Sequence, residues 1–201
     1  MRTASKFIFA AMLAASGVAA ASAQPAQTQR VMGQIEKVEG NTLTVKTRQG
    51  EMKVNVTGNV AVFGVVKATL ADIKKGSFIG VGAMPQPDGS QKAIRVMIFA
   101  ETQRGTGEGH RPWTQPGSTM TNATVDTTVG SVDGQVVMVK YKDGEKKLVI
   151  PPGLPIQQYV VGDRSELKAG AHILIVAAAK KPDGTLEAGR VNVGRDGIVP
   201  Q

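Results

Sequence analysis

The sequence predicts an all-β protein built as two small five-stranded barrels in tandem, and two observations carry that prediction. The chain is written twice. Val38-Glu39-Gly40 returns as Val132-Asp133-Gly134, Gly50 as Gly144, and Ile73-Lys74-Lys75-Gly76 as Leu167-Lys168-Ala169-Gly170, each 94 positions on. Pro87-Asp88-Gly89 then returns as Pro182-Asp183-Gly184, and Ala93, Arg95 and Val96 return as Ala188, Arg190 and Val191, 95 positions on. A near-constant offset of this kind marks two copies of one folding unit. Within each copy, apolar and polar residues alternate over short stretches bounded by glycine-bearing turns, the pattern of half-buried strands.

In the first copy, Val31, Gly33 and Ile35 alternate as a first strand, and Glu39-Gly40-Asn41 is a turn. Leu43, Val45 and Thr47 form one face of a second strand, with Thr42, Thr44, Lys46 and Arg48 on the other. Gln49-Gly50 reads as a tight hairpin turn, and Met52, Val54 and Val56 as the apolar face of a third strand. A loop is expected from Thr57 to about Ala68. Thr69 with Asp72 has capping-box spacing, so a short helical turn should follow. Ser77–Met84 and Gln91–Phe99 are the fourth and fifth strands, joined at Pro87-Asp88-Gly89.

The second copy keeps this order. Val125, Thr127 and Val129 match the first strand; Val137, Val139 and Tyr141 match the inward face of the second, and Leu148 and Ile150 that of the third. Asp143-Gly144 is the hairpin turn. Asp163 with Glu166 repeats the capped turn, and Ala171–Ala178 and Glu187–Val193 are strands four and five. Three strands, a short helical turn between strands three and four, then two strands is the order of an OB-like barrel. The expected layout is 1–23 export signal, 24–100 first barrel, 101–124 Gly/Pro-rich linker and 125–201 second barrel.

Arg2 and Lys6, the apolar run Phe7–Ala15 and the small-residue site Ala21-Ser22-Ala23 compose the signal, with cleavage expected before Gln24. The run is too short to span a bilayer, and no later stretch is long and apolar enough. The expected location is periplasmic, with secretion as the alternative. The chain has no cysteine, so disulfides cannot reinforce a thin core. Units of roughly 70 residues are marginal alone, so the two copies are expected to touch. Removing Arg2 and Lys6 leaves 22 basic against 16 acidic residues, a net charge of +6. That field favours anionic partners, although it is also an ordinary solubility charge.

The segment Glu101–Thr124 has neither helical nor strand period and reads as a linker or ordered crossover. The spaced pattern Gly33-x-Ile35-x-x-Val38-x-Gly40-x-x-Leu43-x-Val45, with Leu70-x-x-Ile73-Lys74-x-Gly76, Asp88-Gly89 and Ala93-x-Arg95-Val96, resembles a bacterial domain-of-unknown-function family of exported OB-like β-barrels. Gly107–Trp113 with Pro116–Asn122 resembles the two-barrel subset. The resemblance implies an envelope location and no established activity, and it assigns no functional residue. The second copy departs from the pattern where Thr127 replaces the first-strand glycine.

No catalytic signature is present: no cysteine nucleophile, Gly-x-Ser-x-Gly elbow, His-Glu-x-x-His or phosphate loop. The protein is not expected to be an enzyme and no cofactor is implied. His172 stands where the first copy has Phe78, without a nearby partner in sequence. Glu108 and His110 are the candidate metal ligands, with Met120 able to assist a soft ion; two ligands make a weak site, and fixing the crossover is the plainer role. Trp113 is the only tryptophan. It reads as an anchor for the linker or as a stacking platform, beside Arg111. Lys46, Arg48 and Lys53 share an outward face and form a candidate partner-binding strip, echoed by Lys140, Lys142 and Lys147. A nucleic-acid barrel needs aromatic stacking platforms. Only Phe63, Phe78, Phe99, Trp113, Tyr141 and Tyr159 follow the signal, so nucleic acid is not an expected partner.

The copies also differ in apolar content. Val136, Met138 and Val149 replace Thr42, Thr44 and Asn55, while Met97 and Phe99 stand where the second copy has Asn192 and Gly194. Such patches mark interfaces, and cover by the other barrel or by the linker is expected, with a partner chain as the alternative. The sequence therefore points to a non-enzymatic envelope binding or adaptor module for a protein or an anionic polysaccharide. Metal handling around Glu108 and His110 is the alternative.

Overall fold

The computed structural model describes residues 27–131 and 134–201, so the expected signal at 1–23 and the matched pair Val132-Asp133 lie outside the described residues. The protein is all-β. Its strands are β1 (Thr28–Glu39), β2 (Thr42–Thr47), β3 (Gly50–Ala68), β4 (Phe78–Pro85), β5 (Gln91–Ile98), β6 (Gly109–Pro112), β7 (Thr119–Ser131), β8 (Gly134–Tyr141), β9 (Gly144–Ile150), β10 (Ile156–Val161), β11 (His172–Lys180) and β12 (Leu186–Gly194). No helix among the described residues is long and apolar enough to cross a membrane.

Five strands close into a barrel in the order β1-β2-β3-β12-β11, and back to β1. The β3–β12 pair is parallel and the other four are antiparallel. A second circuit runs β7-β8-β9-β5-β4 and back to β7, closed by the parallel pairs Gln91–Leu148 and Lys92–Val149. Each circuit thus takes three strands from one copy of the repeat and two from the other. This corrects the tandem layout: neither 24–100 nor 125–201 contains a whole circuit. The repeat offset is blind to the difference, because a fourth strand from either copy fits the same slot.

The physical cause lies in the expected loop Thr57–Ala68, which is strand. Val60, Val62, Phe63, Val65 and Val66 carry the β-branched and aromatic residues that favour it. At about 3.3 Å per residue, the 19 residues of β3 extend roughly 60 Å, too far to stay within one small barrel. Its distal half pairs antiparallel with β10, in the register Val65 opposite Tyr159. These two residues are 94 apart, so a pseudo-twofold axis passes between them. β9 and β10 together are the counterpart of β3, interrupted at Pro151-Pro152-Gly153-Leu154-Pro155. Prolines there lack the N–H that the ladder requires.

The axis also corrects the repeat alignment. Ile35 and Val125 are structural equivalents 90 positions apart, not 94. Each is paired across its hairpin just before a register shift, with Val45 and Val139 respectively. Each is also clasped by the other copy: Gly170 and Val125 donate backbone N–H groups to Ile35 and Ser77, and Gly76 and Ile35 donate to Val125 and Ala171. Two additional ladder pairs at the end of the β7–β8 hairpin, Gly130 with Gln135 and Ser131 with Gly134, supply the four residues that restore the 94 offset. Because four is even, the inward and outward faces are preserved.

Single 3-10 turns at Leu70–Asp72 and Arg164–Glu166 precede β4 and β11. The Asp72 carboxylate accepts from the Thr69 N–H and hydroxyl at 2.8 Å each. Glu166 accepts from the Asp163 N–H at 2.9 Å, and Asp163 from the Ser165 N–H at 2.8 Å. The hairpin loops are Arg48-Gln49 and Lys142-Asp143, one residue earlier than expected. The expected linker is ordered: Glu101–Gln103 is a 3-10 turn, and β6 pairs with the opening residues of β7 as a hairpin.

Three apolar clusters form among the described residues. One lies inside the first barrel (among others Ile35, Leu43, Val54, Ile173, Val191) and one inside the second circuit (Ile79, Val96, Val125, Leu148, Ile156). The third, Phe63, Val65, Met97 and Tyr159 with Phe99 against them, lies on the axis as a seam between the circuits. Met97 and Phe99 are therefore in the seam. Val136, Met138 and Val149 are not: they are half-buried on the outer face of the β8–β9 hairpin and belong to none of the three clusters.

Candidate functional site at the inter-barrel seam

A cavity of about 340 Å³ opens beside the seam cluster. Its lining comes in pairs related by the axis, drawn from both copies. Arg95 on β5 matches Arg190 on β12, Arg30 on β1 matches Met120 on β7, and Met97 matches Asn192. Tyr159 stands on the axis itself.

Three guanidiniums, Arg30, Arg95 and Arg190, line this cavity together with a fourth, Arg111; no Asp or Glu side chain lines it, and Gln201 at the end of the chain does. None of the three makes an ion pair or hydrogen bond with a described residue. By contrast Arg104 binds Glu101, Arg195 binds Glu166, Arg111 donates to the Gly107 carbonyl, and Arg164 donates to Asn41. Two of the cavity arginines are instead oriented by aromatic faces. The Arg95 guanidinium lies 4.9 Å from the Trp113 ring centre and that of Arg190 lies 5.5 Å from Phe63. Such stacking contributes about 0.5–2 kcal/mol and leaves the edge N–H donors available.

The electrostatics agree. Burial holds the Arg95 guanidinium below its usual value, and the charge of Arg30 adds to this. Arg30 is exposed over much of its surface at the cavity mouth, yet desolvation of its head lowers its pKa too. Burial raises the Tyr159 phenol, while Arg30, Arg190 and Arg95 oppose that rise. All three cations therefore act on one hydroxyl, which itself makes no hydrogen bond to a described residue.

Buried polar groups complete the lining. Gln103 Nε2, Asn122 Oδ1 and Asn192 Oδ1 have no hydrogen-bond partner among the described residues, and all three residues border this cavity. The opposite ends of these amides are fixed. Gln103 Oε1 accepts from the Ala100 N–H at 3.2 Å, Asn122 Nδ2 donates to the Thr106 carbonyl at 3.0 Å, and Asn192 Nδ2 donates to the Leu174 carbonyl at 3.1 Å. Leaving such a group unpaired costs about 1–3 kcal/mol. Their gathering at one cavity is thus a cost that an incoming partner can relieve.

The sequence-derived candidates divide. Trp113 is at the site, packed where a Cβ on Gly82 would lie 2.5 Å from its ring. Arg111 also reaches the cavity lining. Glu108 and His110 are engaged elsewhere: Glu108 accepts from the Lys142 N–H at 3.1 Å, and His110 Nδ1 lies 2.8 Å from the Thr121 hydroxyl. Among the described residues, no group of three or more His, Cys, Asp or Glu side chains is placed to hold a metal ion. His172 is half-buried at the start of β11, opposite Gln34. Lys46, Arg48 and Lys53 are exposed on the first hairpin. Lys46 pairs with Glu36 at 3.9 Å, and its counterpart Lys140 pairs with Asp126 at 3.1 Å. Arg30, Arg190, Tyr159 and the three amides had no place among the sequence candidates. The available signals were the repetition of Arg95 as Arg190 and the polar Asn192 in the slot of Met97. No family model matches the chain, and no curated protein and no solved structure matches it.

Proposed function

We propose that this protein is a non-enzymatic binding module of the cell envelope, built from two strand-exchanged OB-like barrels, that holds an anionic glycan at the inter-barrel cavity. The observation that carries the reading is the convergence of Arg30, Arg95 and Arg190, without carboxylate partners, on one cavity. Preoriented guanidinium donors are suited to carboxylate and phosphate groups. A concave site of this size fits a glycan residue better than a protein surface, which typically buries about 800 Å² on each partner. The signal features at residues 1–23 and the resemblance to exported barrels support an envelope location, periplasmic or secreted.

Calorimetric titration of the mature chain with oligogalacturonate and with neutral dextran oligomers of equal length tests the reading. Binding of the acidic series alone, weakening with added salt, is expected. Equal binding of both series, or of neither, overturns it. N-terminal sequencing of envelope-extracted protein is expected to begin at or near Gln24, and an intact N-terminus in the cytoplasm would refute the location.

A further inference from the structure

We infer that the seam cavity takes a single acidic sugar residue, a ring carrying both an oxyanion and free hydroxyl groups. The inference rests on the anionic-ligand reading above and narrows it. The cavity of about 340 Å³ lies at the small end of ligand pockets, so it accommodates a terminal or single residue and not a length of polymer. Its unpaired groups are of two kinds. Arg30, Arg95, Arg190 and the Gln103 amide N–H seek acceptors, whereas Asn122 Oδ1 and Asn192 Oδ1 seek donors. A bare carboxylate supplies acceptors alone, and inorganic phosphate carries its one or two P–OH donors on the same centre as its charge, too close to serve the arginines and both asparagine oxygens together. A neutral sugar supplies hydroxyl donors and leaves the guanidiniums without a counter-charge. A hydroxylated acid supplies both.

The departure from twofold symmetry gives the ring a direction. Asn192 replaces Met97 across the axis, and Trp113 covers Arg95 but has no counterpart over Arg190, whose ring is Phe63. One hydroxyl is therefore set toward Asn192 and another toward Asn122, whose Oδ1 lies with Phe99 against Gly80, and the apolar face of the ring is set toward Met97.

Trp113 is the only tryptophan and lies against Arg95, so its fluorescence reports occupancy directly. The mature full-length chain is titrated with glucuronate, glucose 6-phosphate, glucose, acetate and inorganic phosphate. At least one of the two sugar acids is expected to bind ten times or more tightly than glucose, acetate and phosphate. Whether glucuronate or the phosphorylated sugar is preferred distinguishes a uronic-acid source from a phosphorylated one. Asn192→Leu is expected to weaken the sugar acid about tenfold and to leave acetate unchanged. If acetate or phosphate binds as tightly as both sugar acids, the inference is overturned while the anionic-ligand reading stands. If no anion binds, both are overturned. The selectivity series on the unaltered chain decides the matter even where Asn192→Leu impairs folding, and Arg30→Gln at the exposed mouth supplies a second variant, expected to weaken both sugar acids.

Discussion

The cations of the two β-hairpins and the cations of the seam are of opposite character. On the hairpins, Lys46 and Lys140 face Glu36 and Asp126, and Lys147 faces Asp88 at 3.7 Å. These are exposed pairs, each worth about 0–1 kcal/mol and screened by salt. At the seam, Arg30, Arg95 and Arg190 make no ion pair among the described residues, and two of them are held by aromatic rings. The hairpin strip is the more visible in the sequence because its residues are close together in the chain. The seam set is spread over β1, β5 and β12 and comes together only through the fold. Lys46, Lys140 and Lys147 are already paired locally and have little charge left for a ligand, which is why the proposed site is the seam set.

The seam exists only because strands are exchanged, and separating the copies should therefore have the largest effect. Residues 24–100 expressed alone lack β11 and β12, which leaves β1 and β3 with open edges. No folded monomer is expected by size-exclusion chromatography and circular dichroism. Acid-sugar binding should be absent from either half and recovered when both halves are refolded together. A stable, monomeric 24–100 barrel would show that strand exchange is not required.

Arg95→Ala and Arg190→Ala come next. A hydrogen bond to a charged group contributes about 1.5–3 kcal/mol, so each change should weaken anionic-ligand binding by roughly 10- to 100-fold. Lys46→Ala with Lys140→Ala is the matched control. It should change affinity less than twofold and stability by no more than about 0.5 kcal/mol. Comparable losses from the lysine pair would erase the distinction between the two sets.

Much of this architecture was legible before the fold was known. Strand positions, hairpin turns and capped turns follow from alternation, glycine placement and the Thr69/Asp72 and Asp163/Glu166 spacings, all local signals. Three features were not local. Which copy supplies strands four and five leaves the offset unchanged, so the exchange was invisible. The run Val60–Val66 is apolar but lies among Gly58, Asn59, Gly64 and Lys67, and its role as a strand depends on the partner β10. The first-strand alignment at 94 matched Val129 to Ile35. Yet Val129 is 62% exposed, whereas Val125, the true counterpart, is 1% exposed, as is Ile35. An error of four residues keeps the alternation intact, so periodicity alone could not detect it. The site suffered most: each of its residues is unremarkable in the chain, and only Trp113 and Arg111 were among the candidates.

Gly82→Val tests how far the aromatic support matters. A Cβ at Gly82 would meet Trp113 ring carbons at 2.5 to 2.9 Å, so the ring must move away from Arg95 while all three arginines remain. Loss of the stacking contribution, about 0.5–2 kcal/mol, predicts a two- to thirtyfold weaker affinity with the charge of the site unchanged. A shift in Trp113 fluorescence should accompany it. Full affinity with a displaced ring would mean that the guanidinium is held by something else.

The smallest expected effect separates the seam from the β6–β7 hairpin by pH. His110 is half-buried beside Thr121, and desolvation, then the charge of Lys146, holds its pKa below the ordinary 6.5. The folded state thus prefers the neutral imidazole, and the unfolded chain takes up a proton at higher pH. The associated stability is fully present above the unfolded value of about 6.5 and is lost as pH falls toward the lower folded value. The melting temperature should therefore drop between pH 7.5 and 5.5, and His110→Gln, which can still bond to Thr121 but does not titrate, should flatten part of that drop. The carboxylates Asp72, Asp88, Asp163, Asp183 and Glu166 have pKa values lowered by their hydrogen-bond partners, so their own contribution is lost only at more acidic pH. The seam arginines stay charged across the whole interval. Affinity for glucuronate, whose carboxylate stays ionised throughout, should accordingly stay level from pH 7.5 to 5.5 while stability falls. A parallel decline in both would place a titrating group in the cavity lining and break the separation between the two regions.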